Sequence, residues 1–224
     1  MTLLEASTWV IPVIIAITFH EAAHGFVALM FGDDTAWRLG RVSFNPLKHI
    51  DPFGTILLPA LLLLLRSSFL FGYAKPVPVN FKALRNPRRD MVWVALAGPG
   101  MNIALAILAA LAFHLVAYLP DTYVQWVARN LQNAVLINVL LAVFNMLPLP
   151  PLDGGRVAVG LLPDVLARPL AAIEPFGMLI LIAVLFLVPM LGEQLGVDLS
   201  IVSRVVGIVS GAIIDAIVRL TGNG

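Results

Sequence analysis

Cysteine is absent from the 224-residue chain. Disulfides and thiolate-held metal centres are therefore excluded, and any bound metal must take histidine and carboxylate ligands. Charge is almost as scarce: Lys, Arg, Asp and Glu make up 12% of the residues, where a soluble domain carries about 25%. The net charge of +1 excludes the basic footprint of a nucleic-acid-binding protein. The N-terminal stretch lacks the basic residues that open a secretory signal and carries Glu5, so the first apolar segment is expected to stay in the protein. Histidine occurs four times, as His20, His24, His49 and His114. What fills the chain instead is apolar. Hydrophobic residues make up 60%, mean hydropathy is +0.95, and several runs approach the ~20 residues needed to cross a bilayer.

This patterning predicts an all-α polytopic membrane protein, a single domain over residues 1–224 with its core in about 8–160. Membrane helices are expected over 8–31, 91–118, 131–149, 173–191 and 199–220. The apolar core of 53–72 runs only from Ile56 to Leu65 before Arg66 cuts it, too short for a span, so a re-entrant element is expected there; a sixth crossing is the alternative. Basic residues crowd into 32–90 and 150–172. The positive-inside rule then puts those segments in the cytoplasm and the loop 192–198 outside, with Arg129 and Arg204 as exceptions. The final segment reads either as a packing helix with Gly207-x-x-x-Gly211 or as an amphipathic helix lying on the membrane. Segments 36–44 and 73–80 show partial alternation and read as extended, a small hairpin-like element whose edge could hold an unwound peptide.

The chemistry-bearing residues start with His20-Glu21-Ala22-Ala23-His24, inside the first span. Helical spacing of four puts both imidazoles on one face, where they can grip zinc while Glu21 serves as general base on a zinc-activated water. Ionisable residues buried in a span are costly and point to function. A catalytic zinc needs a third protein ligand. Asp153 is the candidate by context: three prolines in 148–151 break the helix just before it, and Gly154-Gly155 allow a tight turn. The other reading of Asp153, a helix stop followed by a solvated aspartate, stands beside it. Asn145 could hold a substrate or an oxyanion, or make an interhelical hydrogen bond. Asn102 sits beyond Gly98 and Gly100, two glycines that read as helix-packing positions. His49 reads as structural or as a supporting group more than as a ligand, and His114 as remote from the site.

Taken together, His20-Glu21-Ala22-Ala23-His24, Gly98-Pro99-Gly100-Met101-Asn102 and the stretch from Asn145 to Asp153-Gly154 resemble the site-2 protease family of intramembrane zinc metalloproteases. Residues 41–54 and 72–80 resemble segments of its short prokaryotic branch. The resemblance covers about 15–160. It implies one zinc ion held by His20, His24 and Asp153, Glu21 as the catalytic base, and substrate-positioning roles for Asn145 and Asn102; His49 stands beside them as a substrate-binding candidate from its own place in the sequence. It also implies cleavage of transmembrane protein substrates within the lipid bilayer of a prokaryotic cell membrane, from the cytoplasmic side. The sequence departs from larger members of the family in having no room for a PDZ or CBS domain. Two functions of other classes compete: a membrane metal carrier and a non-catalytic binder of membrane helices. A carrier has no need of Glu21, and a binder would tolerate loss of any ligand; the intact set favours the protease.

Overall fold

The computed structural model of the chain describes residues 3–51, 54, 57, 61 and 75–224. Three long helices form its centre: α1 (Leu3–Met30), α3 (Pro87–Phe113) and α4 (Asp121–Asn145), each packed against the other two. A short turn, α2 (Thr35–Arg38), follows α1. After α4 come α5 (Asp153–Leu161) and α6 (Asp164–Ala172), then α7 (Gly177–Ile182) and α8 (Val188–Gln194) joined through a wider turn at Ala183–Leu187, and finally α9 (Ile201–Leu220). Among the described residues five helical stretches are long and apolar enough to cross a membrane, as expected from hydropathy. Among the described residues there is no β-strand.

Several boundaries differ from the sequence expectation for physical reasons. Helix α4 begins ten residues early, at Asp121 rather than 131. Its first turns, 121–130, look like a polar loop, yet they pack on α1, where Trp126 Nε1 donates to Ser7 Oγ at 2.9 Å. Further along α4, Asn133 Nδ2 donates to the Thr8 carbonyl at 2.8 Å. Such bonds join helices where water cannot compete. Segment 36–44 is not an extended edge: Thr35–Arg38 make a helical turn, whose first residue donates from N and Oγ1 to buried Asp33. Residues 75–80 do lack helix, as expected of a Pro-x-Pro stretch. The expected re-entrant segment 53–72 falls, apart from 54, 57 and 61, outside the described residues.

Helix α9 is a packing helix, not a surface one. Ile217 is buried in a cluster with Ala106, Ala110, Val135 and Val139, and Val206, Ile213 and Ile214 pack onto it. Its C-terminal end is fastened to the far end of α3, where His114 Nε2 donates to the Thr221 carbonyl at 2.6 Å and Asn223 Nδ2 to Ala110 at 2.8 Å. With 20 residues, α9 is roughly 30 Å long and runs antiparallel to α4. The loop 192–198 therefore sits toward the end of the bundle where α1 finishes, not at the opposite end. Arg204 and Arg219 exchange ends relative to the charge-based expectation.

Candidate metal centre

His20 and His24 lie on consecutive turns of α1 and point inward, 7% and 9% exposed. Their Nε2 atoms are 3.0 Å apart. Asp153, 6% exposed, brings Oδ2 to 3.2 Å from His20 Nε2 and 3.3 Å from His24 Nε2. Among the described residues these three form the candidate metal-binding group. The sequence left Asp153 open between ligand and loop; the structure buries it against the histidine pair.

The turn that delivers Asp153 depends on its glycines. Chain 146–152 folds back on the start of α5 so tightly that a methyl group at Gly154 would lie 2.2 Å from the Met146 carbonyl oxygen. One at Gly155 would lie 2.3 Å from Pro150 N. Pro148, Pro150 and Pro151 keep this stretch out of α4 by withholding backbone donors, and Asp153 becomes the first residue of the next helix.

Hydrogen bonds on the far side of each imidazole fix which nitrogen faces the centre. His24 Nδ1 is 2.7 Å from the Val94 carbonyl, which only accepts, so Nδ1 carries the hydrogen and Nε2 presents a lone pair. His20 Nδ1 is 2.6 Å from Asn102 Oδ1. The amide orientation of Asn102 follows from its other contacts: Nδ2 donates to the Ala16 carbonyl at 3.2 Å and to Asn138 Oδ1 at 2.8 Å, while Asn138 Nδ2 donates to Ala134. The chain therefore ends on two carbonyls that can only accept, and His20 must donate from Nδ1. Asn102 and Asn138 are 0% and 2% exposed, so nothing else competes for them.

Three lone-pair atoms thus face one another in a buried space, and Asp153 Oδ2 has no hydrogen-bond donor. A single proton bridges one pair at most. A divalent cation satisfies all three at once, and tetrahedral zinc with bonds of ~2.0–2.2 Å sets its ligand atoms roughly 3.3 Å apart. The observed spacings of 3.0, 3.2 and 3.3 Å fit that requirement. Gly98, expected as a packing residue, faces the same space: a methyl group there would lie 2.4 Å from His24 Nε2 and 2.6 Å from His20 Nε2. Gly100, the other glycine read as a packing position, has nothing within 4 Å of such a methyl.

The remaining expected residues are placed differently. Glu21 is half-buried, and its Oε2 accepts the backbone N–H of Val77 at 2.7 Å. Asn145 ends α4 half-buried, with Nδ2 donating to the Leu141 carbonyl. His49 is buried but clips two loops together: Nε2 donates to the Ser43 carbonyl at 2.7 Å, and its own carbonyl accepts from Lys75 N at 2.9 Å. Neither Asn145 nor His49 bonds to the histidine–aspartate group. Asn138 was missed by the sequence reading, although an asparagine seven residues before Asn145 in an apolar run shares its helix face. The Val94 carbonyl left no side-chain signal at all.

Because Asn102 acts on His20, its loss weakens the centre without removing a ligand. Asn102→Ala is expected to lower zinc affinity about 10–100-fold. Competition with a fluorescent chelator measures it, and Asn102→Asp, which keeps the acceptor, should recover part of the loss.

The family model for Peptidase family M50 matches residues 116–188, which include Asp153. Among curated relatives, the Bacillus subtilis protein named "Putative zinc metalloprotease YwhC" is 38% identical over 81% of this chain and 80% of its own length. The Mycobacterium tuberculosis protein named "Putative zinc metalloprotease Rip2" is 32% identical over 80% of this chain and 66% of its own. That named MJ0611 in Methanocaldococcus jannaschii is also 32% identical, over 62% of each chain. No solved structure gives a significant match. Similarity at this level, running through most of YwhC and joined to a helical bundle suited to a membrane, has one consequence: the chain belongs to peptidase family M50, the site-2 protease family, and is a metalloprotease.

Proposed function

We propose that this metalloprotease hydrolyses peptide bonds within or next to transmembrane helices of membrane-protein substrates, with His20, His24 and Asp153 holding zinc and Glu21 as general base. The observation that carries this reading is the buried trio of lone-pair atoms enclosed among helices suited to a bilayer. His24 lies six residues before the end of α1, about 9 Å of helix. Ten described basic residues cluster in the segments that follow α1 and α4, between Arg38 and Arg89 and at Arg156 and Arg168. That bias supports a cytoplasmic location for the nearer face of the site in a multi-pass protein of the cell membrane.

Zinc, when bound, supplies the positive charge that polarises a peptide carbonyl and acidifies water. The chain's own residues do the rest. His20 and His24 hold their Nε2 lone pairs inward because Asn102 and the Val94 carbonyl occupy their Nδ1 hydrogens. Glu21 takes a proton from the attacking water and returns it to the leaving amine nitrogen. Asn145, at the end of α4, has a second amide hydrogen beyond the one given to Leu141, which suits a substrate carbonyl. His49 contributes by holding the 43–49 loop to residue 75.

The test uses the purified full chain in liposomes with a model transmembrane helix. Mass spectrometry should locate the cut inside or at the edge of the apolar segment. A zinc chelator should stop cleavage, and added zinc should restore it. Equal cleavage by metal-depleted protein would overturn the reading. So would zinc uptake into the liposomes with no cleavage of any helix, the behaviour of a carrier.

A further inference from the structure

Glu21 is tied to a segment more than fifty residues away. Its Oε2 accepts a hydrogen bond from Val77 N, 56 positions along the chain, in the non-helical stretch Lys75-Pro76-Val77-Pro78-Val79-Asn80. We infer that residues 75–80 form a strap that positions the catalytic glutamate, with the Val77 backbone N–H fixing the Glu21 carboxylate. This deepens the protease reading and rests on it.

The composition of the strap suits one task. Pro76 and Pro78 have no N–H, so Val77 carries the only backbone donor of the tripeptide. Each proline also biases the residue before it, Lys75 and Val77, toward extended backbone. The stretch cannot coil into a helix and spend that donor on itself.

The strap is anchored on both sides of Val77. Lys75 N donates to the His49 carbonyl at 2.9 Å, and the Arg41 guanidinium donates to the carbonyls of Lys75 at 2.6 Å and Pro76 at 3.4 Å. Beyond it, Asn80 N donates to buried Asp33 at 2.6 Å. The Arg41–His49 loop that supports it is itself held to α1, where the Phe44 ring stacks on Phe19 at 4.5 Å and Phe26 at 5.2 Å.

The seat on α1 is made by a glycine. Gly25 is one helical turn beyond Glu21 and on the same face. A methyl group there would come within 3.1 Å of both Val77 Cγ1 and Val42 Cγ2. With hydrogen alone at 25, the Val77 side chain buries to 7% exposure and its N–H reaches Glu21. The histidines face inward while Glu21 and Gly25 face the strap.

The chemistry follows from this geometry. A glutamate has three side-chain torsions and would sample several rotamers if half-buried and unattached. A charge-assisted bond from an immobile backbone donor removes that freedom at Oε2 and leaves Oε1 for the water. Misplacement of a reacting group by 1 Å costs up to about 10²-fold in rate.

The test replaces the Val77 amide by an ester, using the α-hydroxy analogue of valine, which removes the N–H and weakens the Pro76 carbonyl as an acceptor; Arg41 keeps its shorter bond, at 2.6 Å, to the Lys75 carbonyl. The same exchange at Val79 is the control. The Val77 ester should lower kcat about 10–100-fold, with KM within about twofold and zinc still near one per chain. The Val79 ester should change kcat less than about twofold. In a Glu21→Asp background, whose carboxylate is one methylene short of the donor, the Val77 ester should add less than about twofold. Val77→Pro, which also removes the N–H, repeats the measurement should the ester protein insert poorly. A Val77 ester with wild-type kcat would overturn the strap. So would an undiminished loss in the Glu21→Asp background, since a purely structural role is additive. Glu21→Gln separates the two levels. If it cleaves normally, the role of Glu21 itself falls; if it is inactive while the ester is unimpaired, the strap alone falls.

Discussion

Glu21→Gln protein should retain its zinc and lose about 10²–10⁴-fold in kcat, the usual contribution of a positioned general base. Glutamine is nearly isosteric with glutamate and keeps a carbonyl oxygen that can accept from Val77 N, so the 2.7 Å tie to the strap survives. The two imidazoles and Asp153 are untouched, and their hydrogen bonds run to α3 residues, away from position 21. What disappears is basicity, because an amide oxygen does not take a proton from water at neutral pH. Metal analysis alongside single-turnover cleavage of a membrane helix checks both halves. Zinc near one per chain with cleavage lost supports the mechanism. Cleavage at the wild-type rate would remove Glu21 from it, and zinc lost together with cleavage would make Glu21 a structural support of the centre.

Much of this site is visible in the sequence because its chemistry is local. His20 and His24 announce themselves by helical spacing inside an apolar run. Asp153 is harder: prolines and glycines show that the helix breaks, but not where the carboxylate goes. The burial of Asp153 against the two Nε2 atoms is a tertiary fact. The supporting groups are harder still. The acceptor for His24 is the backbone carbonyl of Val94, and a backbone group has no sequence signature. Val77 reaches Glu21 through its N–H, so its side chain gives no hint either. Pro76 and Pro78 were legible as an irregular edge, yet nothing local says which residue their one remaining donor would meet.

The fold divides in the same way. Hydropathy finds five helices because a span must bury its backbone whatever its neighbours are. It misplaces the start of α4, since the polar residues of 121–130 look like a loop although Trp126 there is satisfied on α1 through Ser7. Charge counting also misdirects the last helix. Arg204 is paired with Asp198 through a short hydrogen bond, which offsets its charge, while the direction of α9 is set by the tie between Thr221 and His114.

Gly98→Ala should abolish zinc binding and cleavage together, with stoichiometry falling well below one per chain and activity falling in step with metal content. The argument is steric. The added methyl would stand 2.4 Å from His24 Nε2 and 2.6 Å from His20 Nε2, closer than any real non-bonded carbon contact. Neither imidazole can yield cheaply. His20 is held by Asn102 and thus by Asn138 and two carbonyls, and His24 by Val94, the residue four before Gly98 on α3 itself. Moving either ring strands a buried donor or acceptor, at ~1–3 kcal/mol each. Pro99 restricts the backbone next to Gly98 by fixing its own φ. The bundle can still form, because the methyl fills a space that is lined by ligand atoms instead of by packed side chains. Far-UV circular dichroism should therefore stay close to wild type while metal content collapses. The neighbouring substitution Gly100→Ala is the internal control: a methyl there meets nothing within 4 Å, so zinc and activity should be kept. Full zinc occupancy in Gly98→Ala would mean that the metal sits elsewhere than between His20, His24 and Asp153.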